Sequence, residues 1–351
     1  EKKRLSNYLP WLLFCDEGIV LNQNGTLQKT IEFRGLDLDR EEYSSIQAKM
    51  SQLNNIFKRI DGGWTISIDC IRSKSKKYIK SPFPDKAGNL IENQREKYFN
   101  SGNHYESIYY MTFIYLTPTE ASKKITSLVV DEIEMGEKVN NDIKKFKKEF
   151  EEKYELLKSV FLKARVRELT SEETLTYLHS LVSNTEQNVI LPNPPMYLNN
   201  YISGGLKPML GKKHLRVVSI IGFPQYTHPS FFDELNKLDI EYRWNTRYMI
   251  IDKLEALSLL EKKRKAWFSG RKSLLQVASE QFTQRESTKV NRDSEEKAYQ
   301  IEAETDNLRG EYYAEGYYSS CIILKDDDLE NLEEKVKLIK KVITRIGMTV
   351  V

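Results

Sequence analysis

The hydrophobic pattern changes period several times along the chain, and each change marks an element. Gly18 to Gly35 gives two strand-like runs, GIVLN and TLQKTIEFRG, joined by Gln23-Asn24-Gly25. Asn-Gly tolerates the positive φ angles of a tight primed turn, so the stretch predicts a β-hairpin. Leu9 to Cys15 before it is short, apolar and aromatic. Asp37-Leu38-Asp39 introduces a helix, with Asp39 as N-cap and Glu42 three residues on. Ile46, Met50, Leu53, Phe57 and Ile60 recur every three or four residues as one apolar stripe, which Gly62-Gly63 stops. Trp64 to Ile71 alternates as a strand. Residues 73 to 104 are a polar excursion with a short helix around Glu92 to Phe99, and Ser107 to Leu116, apolar on both faces, is a central strand.

Thr117-Pro118-Thr119-Glu120 has the form of a capping box with proline at the first helical position. Helical signals then run to about Ser183, with Ile143, Phe146, Phe150, Tyr154, Leu157 and Phe161 on one face. Thr170-Ser171-Glu172-Glu173 is a second capping box. Pro192 and Asn193-Pro194-Pro195 mark a domain boundary. The second half reads as strand (Leu215 to Gly222), helix (Pro229 to Leu238), strand (Ile240 to Ile251), one or two charged helices, strand (Tyr312 to Lys325), helix (Asp328 to Arg345) and a further strand from Gly347. The expected fold is therefore α+β in two mixed subdomains. Residues 1–195 form the first and end in long helices. Residues 196–351 form the second, ferredoxin-like (split βαβ), with a charged helical-hairpin insertion at about 253–310.

Composition narrows the classes. The 351 residues carry 54 Lys and Arg against 51 Asp and Glu, a net charge of +3, so bulk charge does not argue for nucleic acid. Cys15, Cys70 and Cys321 are far apart in apolar runs and have no zinc or disulfide spacing; reduced buried thiols fit the cytoplasm. The longest apolar run, Val217 to Phe223, is far short of a membrane span, and the start lacks the features of a signal peptide.

Three features bear on chemistry. Gly204, Gly205, Gly211, Lys212 and Lys213 superficially resemble a phosphate loop. Such a loop needs four residues between its glycines, then Lys-Ser/Thr opening a helix. Here five residues intervene, Pro208 removes an N–H, and a strand follows, so the stretch reads as a turn. His104, His179, His214 and His228 share no ligand spacing, and pairs such as Asp37/Asp39 and Asp326-Asp327-Asp328 suit helix starts. No catalytic, cofactor or metal-binding residue is assigned. The basic run Lys262, Lys263, Arg264 and Lys265, with Trp267, Phe268, Arg271 and Lys272 beyond it, is a candidate surface for a partner or nucleic acid. Residues 293 to 311 are acidic, so a self-complementary helical hairpin or protein interface ranks first, nucleic acid second and a membrane surface third.

Several separated motifs also carry a resemblance. Ser6 to Asp39, Leu53-Asn54-Asn55 with Gly62-Gly63-Trp64, and Gly204 to Gly211 with His214-Leu215-Arg216 are in the same order as in one family. Ile221-Gly222-Phe223-Pro224, Tyr242 to Arg247 and Lys265 to Phe268 continue that order. The chain resembles the conjugal-transfer and type IV secretion ATPases of the TrbE/CagE/VirB family, nearest to the TrbE-like branch. In that family the phosphate loop and the acidic magnesium motif lie in a C-terminal motor domain, and no such motif precedes Val351. The resemblance implies a non-catalytic N-terminal docking and oligomerisation domain, with ATP and Mg belonging to the full-length protein. Its implied partners are its own motor domain, other copies in a hexamer, and inner-membrane secretion-channel subunits at the cytoplasmic face. The alternatives are a nucleic-acid-binding module on the 262–272 arm and an autonomous ATPase.

Overall fold

A computed structural model describes residues 8–35, 42–75, 78–102, 104–116, 137–161, 166–184, 188–190, 198, 200–224, 226–270, 292–310 and 314–351. Among them the fold is mixed α+β, with eight helices. The chain divides into two compact units. The larger comprises Glu1–Ala48, Thr65–Tyr248 and Tyr318–Val351; the smaller comprises Lys49–Trp64 and Met249–Tyr317.

The larger unit is built on an antiparallel sheet. Its strands are β1 (Trp11–Asp16), β2 (Ile19–Asn22), β3 (Leu27–Phe33), β4 (Trp64–Lys74), β5 (Tyr105–Tyr115), β6 (Val166–Glu168), β7 (Ile202–Ser203), β8 (Met209–Leu210), β9 (Lys213–Gly222), β10 (Tyr242–Ile250), β11 (Gly316–Asp326) and β12 (Thr349–Val350). The hydrogen-bonded order is β1-β2-β3-β5-β4-β10-β11-β9-β8-β7, with β6 on β3 and β12 on β9. The sheet joins strands from both halves of the chain: β4 and β10 are neighbours.

The β2–β3 hairpin forms, with a different turn from the one expected. Asn22 N–H donates to Thr26 O at 2.8 Å and Gly25 N–H to Asn22 O at 2.9 Å. Gly25 has φ of 81° and Asn24 is not among the positive-φ residues. That is a three-residue loop with glycine in the left-handed position, so only one residue has to bear positive φ. Cross-strand Thr30 and Thr112 hydroxyls bond at 2.9 Å, within the buried β3–β5 register.

The helices are α1 (Tyr43–Phe57), α2 (Lys86–Phe99), α3 (Glu137–Phe161), α4 (Ser171–Val182), α5 (Asp233–Asn236), α6 (Lys253–Gly270), α7 (Arg292–Arg309) and α8 (Leu329–Arg345). Helices α3 and α4 cover opposite faces of the sheet, because successive residues of β5 point to opposite sides. Tyr110 meets Tyr177 of α4, whereas Phe113 meets Phe150 of α3 edge-on. On that second face Phe33 also meets Phe161 of α3 and Tyr109 of β5. The Thr170–Glu173 capping box opens α4 with both reciprocal hydrogen bonds in place. Asp328 caps α8, whose Leu332, Val336, Ile339, Val342 and Ile343 are buried against Val218, Ile220, Ile322 and Leu324 of the sheet.

Elsewhere the local pattern misplaced boundaries. Helix α2 begins at Lys86, capped by Asp85 accepting from Gly88 N–H, rather than near Glu92. The segment expected to be helical through Ser183 contains β6, a three-residue strand whose side-chain pattern is too short to show a period. Helix α5 is only four residues, because Phe231 and Phe232 belong to the preceding turn. The helix starts at Asp37–Asp39 and Thr117–Glu120 and the boundary at Asn193–Pro195 lie outside the described residues.

The smaller unit holds the end of α1 together with α6 and α7. Ala256, Leu260, Ile301 and Leu308 form its buried apolar cluster, joined by Ile251 and Leu257. Lys253 at the start of α6 donates to the carbonyl of Arg309 at the end of α7, 3.3 Å away, so the two helices run antiparallel. Gly62 faces Asp252 so closely that a Cβ there would lie 2.7 Å from its backbone nitrogen.

Candidate functional site

Period-two alternation sorts the central strands of the larger unit into two chemical surfaces. On one face, Cys70 of β4, Tyr109 of β5, Tyr242 and Trp244 of β10 and Tyr318 of β11 line a groove of about 500 Å3. The turn before α5 closes it with His228, Phe231 and Phe232, while Phe223 comes from beyond β9 and Asp233 from α5. The rings brace one another. Phe232 and Trp244 have centroids 4.1 Å apart, Phe231 and Phe232 meet edge-to-face at 5.6 Å, and Phe223 and Tyr318 at 5.1 Å. The Trp244 indole N–H is fixed by Ser320 Oγ at 2.7 Å. Ser230 holds φ of 65°, a left-handed conformation that non-glycine residues rarely adopt, and thereby turns the chain to present both phenylalanines.

The titratable groups Cys70 and Tyr242, which are buried, and Tyr109, which is half-buried, are neutral near pH 7. Burial, with Cys70 and Asp233 adding to it, pushes the Tyr109 hydroxyl up to about 12. Burial likewise raises the Cys70 thiol and the Tyr242 hydroxyl. Aromatic walls with an acidic rim suit an apolar or cationic side chain rather than proton transfer.

The opposite face carries a buried polar hub. Asp69, 1 % exposed, accepts from Tyr177 Oη at 2.6 Å, Arg243 Nε at 2.6 Å and Asn245 Nδ2 at 3.0 Å. Asn245 also reaches Ser67 Oγ at 3.0 Å. This network ties β4, β10 and α4 together. Nearby Lys325 donates to the Ser183 carbonyl at 3.1 Å; burial, then repulsion from Arg243 and Lys213, lowers its ammonium pKa to about 8. A charge in the middle of WTISIDCI was the available sequence signal for the hub. The groove was signalled only by the adjacent Phe231-Phe232 pair.

The basic arm lies on α6. Lys262, Lys263 and Lys265 are exposed. Arg264 donates twice to Glu261, at 3.1 and 3.0 Å, and Lys265 lies 3.6 Å from the same carboxylate. The Glu261 hydrogen bond first, and then its charge, hold Arg264 protonated, with Glu302 of α7 contributing across the hairpin. Arg271 and Lys272 lie outside the described residues. The glycine-lysine stretch is a hairpin: Gly204 and Gly205 sit between β7 and β8, and Gly211, at φ of 58°, turns β8 into β9. Among the described residues no group of three His, Cys, Asp or Glu side chains is placed to hold a metal, and no helix is long and apolar enough to cross a membrane.

Comparison with known proteins bears on both ends of this fold. Residues 18–123 match the model of the type IV secretion system ATPase VirB4/TrbE N-terminal domain. Residues 161–351, more than half of the chain, match that of the CagE, TrbE, VirB family, component of type IV transporter system. The chain belongs to the CagE/TrbE/VirB family. It is 24 % identical over 363 residues to the conjugal transfer protein TrbE of Rhizobium radiobacter, covering 97 % of this chain and 44 % of that protein. It is also similar to two Sinorhizobium fredii proteins, both described as pieces of a probable conjugal transfer protein TrbE. The second piece is 30 % identical over 50 % of this chain and 27 % of its own length. The first piece is 27 % identical over 34 % of this chain and 81 % of its own length. The chain thus spans less than half the length of the Rhizobium radiobacter relative. The motifs that suggested the TrbE-like branch include Phe223, Trp244 and Arg243, which form the groove and the hub.

Proposed function

We propose that this chain is the docking and oligomerisation domain of an ATPase that energises type IV secretion, in conjugative DNA transfer or protein export. The observation that carries this reading is the match of residues 18–123 to a model described as the N-terminal domain of such ATPases. ATP and magnesium would bind the full-length protein through a phosphate loop C-terminal to residue 351. Within this chain the glycine-lysine stretch leads into β9, so it does not present backbone N–H groups at a helix start. The partners are the chain's own C-terminal motor domain, further copies in a hexamer, and inner-membrane channel subunits. The place of action is the cytoplasmic face of the inner membrane.

Residues 196–351 fit a ferredoxin-like split βαβ unit carrying the α6–α7 insertion, after a first subdomain ending near residue 195. In support, the neighbour order β10-β11-β9-β12 is the one expected when β9-α5-β10 and β11-α8-β12 interleave. Co-purification of this chain with the channel subunits, together with no ATP turnover above that of a mock preparation, is the expected result. Robust magnesium-dependent turnover by the chain alone would overturn it.

A second reading rests on the exposure of Lys262, Lys263 and Lys265 on α6. Here the arm, extended by Arg264, Arg271 and Lys272, would grip nucleic acid. DNA affinity that falls steeply with salt and disappears when Lys262, Lys263 and Lys265 are replaced by Ala would favour it. Salt-independent or undetectable binding would remove it.

A further inference from the structure

The β7–β8 hairpin carries an exposed apolar knob. Leu206 is 97 % exposed, and Tyr201 and Ile202 beside it are 71 % and 41 % exposed. Lys207 follows Leu206 and is exposed as well. A leucine held out at a glycine-preceded tip leaves its whole apolar surface in water, which burial against a partner would remove. It is a side chain placed for insertion into something.

The same unit contains a receptor of matching chemistry. The aromatic groove is open, with Phe223 and Tyr318 each 48 % exposed at its mouth. Its volume of about 500 Å3 exceeds a single leucine side chain several-fold and leaves room for the adjoining lysine stem. At the rim stands Asp233, which is exposed and has no cation paired with it among the described residues. Leucine followed by lysine at the tip thus faces aromatic walls followed by a carboxylate at the groove.

One chain does not bring the two together. The tip is anchored where Pro208 O accepts from Leu215 N–H at 2.9 Å. The groove begins past Gly222, seven residues further along β9, or about 23 Å at 3.3 Å per residue. The edge of β9 between them is taken by Val351, which exchanges two backbone hydrogen bonds with Ser219 at 3.0 and 3.1 Å. A knob and a complementary pocket at different places on one chain are satisfied by contact between copies.

We propose that the β7–β8 hairpin tip of one copy inserts Leu206 into the aromatic groove of a second copy, with Lys207 reaching Asp233 of that copy. The proposal builds on the oligomerisation reading and names its surface. Leu206 anchors the contact in the cleft bounded by Phe223, Phe231 and Tyr318. The Lys207 ammonium lies over the rings and beside the carboxylate, which fixes orientation.

The test uses the whole chain. A photo-crosslinking amino acid replaces Leu206, and its products are mapped by mass spectrometry, alongside sedimentation equilibrium of the unmodified protein and of variants. The expected result is an intermolecular cross-link from position 206 to peptides containing Phe223, Phe231 or Tyr318. Leu206→Asp should weaken association about tenfold or more while leaving the melting temperature unchanged, because that side chain touches no core. Lys207→Asp and Asp233→Lys should each weaken association, and the double variant should recover it.

Self-association with cross-links from position 206 that land elsewhere would overturn this surface and leave the oligomerisation reading intact. A chain that stays monomeric at the highest concentration reached would overturn both the surface and the self-association it serves. Docking to channel subunits is read separately by co-purification. Single charge variants without rescue in the double variant would remove the Lys207–Asp233 pairing.

Discussion

Helices α8 and α6 have nearly the same length, 17 and 18 residues, and opposite relations to the fold. Helix α8 buries a continuous stripe against the sheet, with Leu332, Ile339 and Ile343 fully enclosed. Helix α6 buries Ala256 and Leu260 against Ile301 and Leu308 of α7, in a much smaller apolar cluster. Both carry lysine and glutamate on their outer faces. The charged surface therefore says little about how firmly a helix is held; the width of the apolar stripe decides it. The larger unit gains stability from such enclosure, whereas α6 and α7 carry more charged side chains than buried apolar ones.

The sharpest test of that contrast is Ile339→Ala in α8. It should cost about 3 kcal/mol and lower the urea midpoint of the larger unit, because Ile339 is fully enclosed and its loss leaves a cavity in the packed cluster. A loss below about 1 kcal/mol would mean that α8 is not the anchor its burial indicates. Next comes Leu260→Ala in the hairpin, expected to cost about 2 kcal/mol. Its signature should be faster amide exchange confined to α6 and α7 at an unchanged midpoint for the larger unit. Exchange that rises everywhere would erase the distinction between the units.

A smaller effect separates the regions by pH. Lys325 has its pKa lowered from 10.5 to about 8 by burial and neighbouring cations, so between those values the unfolded chain binds the extra proton. Stability from this group is thus gained as pH rises from about 8 towards 10.5 and lost as pH falls. Replacing it by Met should help most at pH 7, and that advantage should shrink by pH 10 in paired denaturation curves. An advantage independent of pH would assign the effect to packing. Smallest of all, replacing Lys262, Lys263 and Lys265 together by Ala should move stability by no more than about 0.5 kcal/mol, because they lie in water. A larger loss would show that these lysines help hold the hairpin closed.

What the sequence made legible follows from how local each signal is. The α4 capping box, the α8 stripe and the β2–β3 hairpin are written within a few consecutive residues, and each formed. The turn type of that hairpin was misjudged because Asn-Gly admits two loop lengths and the register of β2 against β3 chooses between them. Strand β6 was missed because three residues carry no period; its partner, β3, lies 135 residues away at the Arg167–Glu32 contact. The groove could not be read for a similar reason. Its walls come from Cys70, Tyr109, Phe223, Phe231, Trp244 and Tyr318, which only the strand order brings together. The basic arm was visible as a run of letters, and the structure adds that Arg264 is engaged by Glu261 while three lysines face water.

The pairing of β4 with β10 also sets a clock for folding. Arg243 and Asp69, whose ion pair links those strands, are 174 residues apart. At roughly 5 to 20 residues per second, the ribosome needs about 10 to 35 s to supply the second strand after the first. Throughout that interval the edge of β4, rich in isoleucine, waits without its neighbour. The middle of the sheet is therefore a late event in synthesis: β5 covers only the other side of β4, and the edge that will meet β10 stays open to wrong pairing until that strand is made.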